Sequence, residues 1–244
     1  RALAAGADAN AIVTTLGRAF LAQGKFDELF ETLSPTVSEP ELRRKILTLR
    51  GTAHLRLLEV QAAEEQFIAA LEADPGAFGP TLGRAQVAIA QGRFPDAAVF
   101  LEQVITAYAD RPAAWWHRGK LRAAQLKTEA ALADFNRALE LEPSYVDALM
   151  SRAWLALQAG LDEQLEADVA AISKIRPDLP EGIFLSALAL ARSGEVKDAV
   201  AALDRASQGL VRLHSAYLRR HPPGLLIQGI VRYRAGQIEE AHEF

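Results

Sequence analysis

The sequence predicts an all-α chain, a linear array of helix–turn–helix repeats with no β-sheet. Three observations carry this. Small residues recur every 34 positions, glycines mark one fixed place between them, and large apolar residues follow helical spacing inside each copy. Aligning "WWHRGKLRAAQLKTEAALADFNRALELEP" on Gly119, Ala131, Ala138 and Pro143 and stepping by 34 reproduces the pattern in both directions. Copies begin at Asn10, Arg44, Phe78, Pro112, Val146 and Pro180 without insertion or deletion, and a seventh begins at Pro222, 42 residues on. Residues 1–244 therefore read as one solenoid.

Each column has a physical reason. The eighth position holds Gly17, Gly51, Ala85, Gly119, Ala153, Ala187 and Gly229, where a small side chain lets the two helices of a copy approach closely. The twentieth does the same from the second helix in five copies, with Leu29 and Leu165 in the other two. Gly24, Gly92, Gly160, Gly194 and Gly236 supply the left-handed residue that ends each first helix. Leu58 and Leu126 occupy that slot elsewhere, so those two turns are expected to be built differently. Positions 4, 7 and 24, with Trp115, Phe67 and Phe135 as examples, are expected to be large apolar columns that fill the space between layers. Pro75, Pro143 and Pro177 end second helices.

Two places break the regularity. In "LSPTVSEPELRR", Pro35 and Pro40 interrupt the first copy's second helix, which should be short and followed by an extended connection. The 42-residue step leaves the sixth copy eight residues longer, room for about two further helical turns. Thirteen or so helices are expected in all. "RAL" at 1–3 matches "RAL" at 137–139 and Phe244 falls inside a second helix, so both ends are expected to be partial repeats of a longer protein.

Composition narrows the function. Half the residues are hydrophobic and 24% are charged, the balance of a folding chain. A net charge of −4 argues against a nucleic-acid-binding surface. No window approaches the roughly 20 apolar residues of a membrane span. With no cysteine, thiol catalysis and thiolate metal sites are excluded. His54, His117, His214, His221 and His242 are scattered and read as solvated side chains, and acidic pairs such as Glu64–Glu65 sit on second helices without a pocket. The residues call for no catalytic group, no metal and no cofactor.

These columns resemble the tetratricopeptide repeat, and the resemblance covers essentially the whole chain. It implies a right-handed superhelix whose first helices line a concave groove through positions 2, 5, 9 and 12. Here those columns supply an apolar stripe: Leu21, Leu55, Leu82, Ile89, Trp116, Met150, Trp154, Leu157, Phe184, Leu188, Leu226, Ile230 and Tyr233. Contiguous apolar surface of this length is covered in one of two ways: by a tight superhelix or a neighbouring segment, or, the favoured reading, by a protein or peptide partner docked as an apolar segment or helix. On the same basis Trp115, at position 4, is expected in the core between the helices of its own copy. Trp116 is expected in the groove beside Met150 and Trp154. The family's carboxylate clamp needs Lys at position 5 and Asn at position 9, and position 5 reads Thr14, Thr48, Leu82, Trp116, Met150, Phe184 and Leu226. That activity is not expected. Arg205, Arg212, Arg219 and Arg220 would form a basic strip along the lengthened helix, either a solvated face or a contact for an anionic partner.

Particular phrases go further. "LGRAFLAQGKFDELFETL", "AAEEQFIAALEADPGAFGPTLGRAQVAIAQGRFPDA" and "LLIQGIVRYRAGQIEEAHEF" resemble the repeat proteins encoded with bacterial exosortase and PEP-CTERM exopolysaccharide systems. This implies a non-catalytic scaffold on the periplasmic or outer-membrane side of an envelope, with any lipid anchor outside these residues. Two other settings fit the same residues: a cytoplasmic adaptor, and the regulatory arm of an enzyme whose catalytic domain lies elsewhere.

Overall fold

In a computed structural model, residues 9–72 and 74–210 are described. Every regular element among them is an α-helix: α1 Ala9–Gln23, α2 Phe26–Thr32, α3 Pro40–Arg56, α4 Val60–Leu71, α5 Phe78–Ala90, α6 Phe94–Ala107, α7 Pro112–Ala124, α8 Thr128–Leu141, α9 Val146–Ala159, α10 Asp162–Ile175, α11 Pro180–Arg192 and α12 Val196–Leu210. Helices α5, α7, α9 and α11 begin at the copy starts read from the sequence. The copy starting at Pro222, and the extra turns of the sixth copy, lie outside the described residues.

The chain divides into two compact units, residues 1–121 and 122–244. In the first, α3 pairs with α4 and α5 with α6; in the second, α9 pairs with α10 and α11 with α12. The small-residue columns form the pair contacts. In the first unit Ala63, Ala85 and Ala97 are all at 0% exposure, as are Ala131 and Ala153 in the second. Leu29 and Leu165 are buried in the same column. Phe67 is buried where it lies against the backbones of Gly51 on α3 and Gly83 on α5. A methyl group on either glycine would overlap its ring. Helix α2 is short, seven residues, and Pro40 opens α3 four residues before the copy start at Arg44, because proline suits the first turn of a helix.

The turns correct one expectation. Among the described residues, all six turns within a copy close with the same bond, from the amide just after residue 24, 58, 92, 126, 160 or 194 to the carbonyl five residues back: Lys25 to Phe20, Glu59 to His54, Arg93 to Ala88, Lys127 to Arg122, Leu161 to Ala156 and Glu195 to Leu190. Leu58 (φ 61°) and Leu126 (φ 59°) adopt the same left-handed conformation as Gly24, Gly92, Gly160 and Gly194. The register of the flanking helices holds the turn geometry whatever residue occupies it. A side chain in this conformation is strained by about 1 kcal/mol, and these two gain no burial in return, being 68% and 89% exposed. Leu58→Gly and Leu126→Gly should each raise stability by about 0.5–1 kcal/mol, less than the full strain because glycine also frees the unfolded chain. A lowered urea midpoint in both variants would show that the leucines hold their turns by packing.

Candidate functional site

The predicted stripe splits by burial. In the first unit Leu21 and Leu82 are in the core, while Leu55, Ile89 and Trp116 are half-buried. In the second unit Phe184 is fully buried, and Met150, Trp154, Leu157 and Leu188 are half-buried. Leu21, Leu82 and Phe184 are therefore corrected from groove-lining to core. The cause is visible at Phe184, which packs on Ala206 with Leu203 of α12 and on Trp154 of α9, ring centroids 6.0 Å apart. Leu82 likewise belongs to the cluster with Leu101 of α6 and Leu121 of α7. Leu226, Ile230 and Tyr233 lie outside the described residues, as do Arg212, Arg219 and Arg220 of the basic strip; Arg205 is exposed on α12.

The adjacent tryptophans also differ from expectation. Trp115 is half-buried, not enclosed between its own copy's helices. It packs with Phe78, Val104 and Ile105 at the junction with the preceding copy. Its indole Nε1 donates to the Ala109 carbonyl at 2.8 Å, and Arg118 lies over its ring at 4.8 Å. An indole with an acceptor in the connecting segment is held at the junction. Trp116 is half-buried with the Lys120 ammonium 4.7 Å from its ring centre. His117, expected in solvent, is 6% exposed and lies 3.3 Å from the Gln86 amide nitrogen. Burial, with the Lys120 charge second, pushes its imidazole down to about 3, so it is neutral. His54 is not a free solvated side chain either: it hydrogen-bonds Glu59 at 2.7 Å and stacks on Phe30. Glu64 pairs with Arg93 at 2.9 Å.

Position 7 is corrected from an apolar column to an arginine column: it carries Arg50, Arg84, Arg118 and Arg152 in four successive copies. Arg50 donates to the Phe30 and Leu33 carbonyls at 2.9 and 3.2 Å. Arg118 pairs with Glu102 at 2.8 Å. Arg152 grips both oxygens of Asp168, which is 1% exposed, and also bonds Asn136. Asp134, 2% exposed, is paired with Arg122 at 2.8 Å. The signal was present, since four arginines 34 residues apart on otherwise apolar faces call for a partner at each place.

No group of three or more His, Asp or Glu among the described residues could hold a metal. No helix among them is long and apolar enough to cross a membrane. A cleft of about 620 Å³ in the second unit, with Leu132, Gly160, Leu161 and Ala167 in its wall, contains none of the stripe residues.

The family profile of the tetratricopeptide repeat matches residues 48–112, 82–141 and 118–180, more than half the chain. The chain belongs to the tetratricopeptide repeat family. Its fold is that of a protein–protein interaction scaffold, a class of module that is generally non-catalytic. Among solved tetratricopeptide structures it is similar to Pseudomonas aeruginosa pilF (18% identity, 81% of this chain and 86% of that chain, TM-score 0.62). It is similar to the type IV pilus biogenesis factor PilW (19% identity, 82% and 89%, TM-score 0.61). A tetratricopeptide repeat protein from Parabacteroides merdae covers 96% of this chain and 89% of its own, at 18% identity and TM-score 0.59. At these identities the likeness is one of fold. A search of curated proteins found no match to the chain.

Proposed function

We propose that this tetratricopeptide chain is a non-catalytic scaffold that binds an apolar peptide or helix of a protein partner on its first-helix faces. The observation that carries this is the half-buried apolar set on α9 and α11: Met150, Trp154, Leu157 and Leu188 remain partly accessible, and Trp154 and Leu188 pack on the buried Phe184. A rigid ring set firmly on a core, with a flexible methionine beside it, suits an adaptable anchor pocket. In the first unit Trp116 and Ile89 offer the same chemistry. The setting we propose is the periplasmic or outer-membrane side of a bacterial exopolysaccharide and PEP-CTERM export or sorting system, supported by the sequence phrases quoted above.

Titration with an array of synthetic apolar helical peptides tests the site. Trp116→Ala and Trp154→Ala should weaken the tightest peptides by about 2 kcal/mol each, with little effect of Trp116→Ala on the unfolding midpoint. Unchanged affinities in both variants would sink the groove reading. Fractionation of the full-length protein in its native host tests the setting, and recovery in the cytosol alone would overturn it.

A further inference from the structure

The arginine column contains its own internal control. Three of its members have acceptors supplied by the chain: two carbonyls for Arg50, Glu102 for Arg118, and Asp168 with Asn136 for Arg152. Among the described residues Arg84 has none. Its Nε is buried without a hydrogen-bond partner, as is that of Arg50, but it lacks the carbonyls that Arg50 finds for its terminal nitrogen, and its guanidinium lies over the Phe100 ring at 4.4 Å. The reason is written in the register. Arg152 finds Asp168 sixteen residues later, at position 23 of its own copy, where Arg84 has Phe100. Arg118 and Arg152 find Glu102 and Asn136 at position 25 of the preceding copy, where Arg84 has Ile68. Both acceptor places are thus apolar in this copy alone among the four, and Ile68 is 48% exposed.

A guanidinium stacked on an aromatic face is oriented before any partner arrives, so less freedom is lost on binding. Its two sisters at the same place are satisfied by carboxylates, and that is the chemistry its donors complement. From this we infer that Arg84, on its Phe100 platform, anchors a second docking site for an acidic side chain of a protein partner. An apolar neighbour of that acid would rest near the exposed Ile68. The site lies where α5 meets α6 and does not depend on the apolar first-helix faces.

The test uses the whole chain and three peptides. The blocked pentapeptide Ala-Leu-Glu-Leu-Ala is titrated while the arginine Nε–H resonances are followed by ¹⁵N NMR, and compared with its Gln analogue. The third is Ala-Leu-Gln-Leu-Ala with a free C-terminus. The Glu peptide should shift the Arg84 resonance saturably and bind roughly tenfold more tightly than the blocked Gln peptide, the scale of one charge-assisted pair. Arg84→Met should abolish that preference, while Arg18→Met, an exposed arginine on α1, should keep it. Equal binding of the Glu and Gln peptides by the unaltered chain would overturn the inference without appeal to any variant. Stronger binding of the free-C-terminus peptide would assign the site to a chain terminus and would also overturn it.

Discussion

Replacing Phe67 by alanine should lower stability by about 3–5 kcal/mol, because it empties a site that the surrounding backbone cannot close. Phe67 is 1% exposed and lies against Gly51 of its own copy and Gly83 of the next, with Ala63 and Val87 in the same cluster. Both glycine contacts are with main chain, which gives far less readily than a side chain. Gly83→Ala should therefore be strongly destabilising alone, by about 1–3 kcal/mol through overpacking, and nearly harmless when Phe67 is already alanine. A double-mutant cycle on urea midpoints reads that coupling. Additive losses would mean that the ring and the glycine do not share one contact.

Arg152→Met should cost about 3–5 kcal/mol, since it leaves the Asp168 carboxylate buried without its counter-charge. Asp168 is 1% exposed and the Arg152 side chain 17%, so water cannot take over the lost bonds. Removing both charges, in Arg152→Met with Asp168→Leu, should recover most of the loss, as apolar replacement of a whole buried pair often does. Denaturant midpoints of the single and double variants decide the matter. If Arg152→Met alone leaves the midpoint in place, the pair is not buried in solution.

Over the described residues the repeat frame was legible because one geometric demand, close helix approach, is imposed on Gly17, Gly51, Ala85, Gly119, Ala153 and Ala187 alike. Such a column admits almost no substitution, so it shows in the sequence. Leu58 and Leu126 were misread for the opposite reason. Glycine is the usual residue in a left-handed turn, yet helix register fixes the backbone there, and leucine follows at a modest cost. The stripe was half legible. Period alone places Phe184 and Trp154 on the same kind of face, but which one is covered depends on Leu203 and Ala206 of the following helix. The arginines escaped because position 7 also holds Leu16 and Ser186, and each arginine meets different groups: backbone carbonyls at Arg50, the Phe100 ring at Arg84, and carboxylates at Arg118 and Arg152.

That last difference has a consequence for how such an array can evolve. The copies share one backbone unit, so duplication or recombination in steps of 34 residues would preserve every helix and turn. It would not preserve the pairing. If the copy at 112–145 were moved one place earlier, Arg118 would face Ile68 where it now meets Glu102, and that ion pair would be lost. Interchangeable in shape, the modules are keyed to their order by charge, and a chimera shuffled at repeat boundaries would carry that mismatch at each new seam.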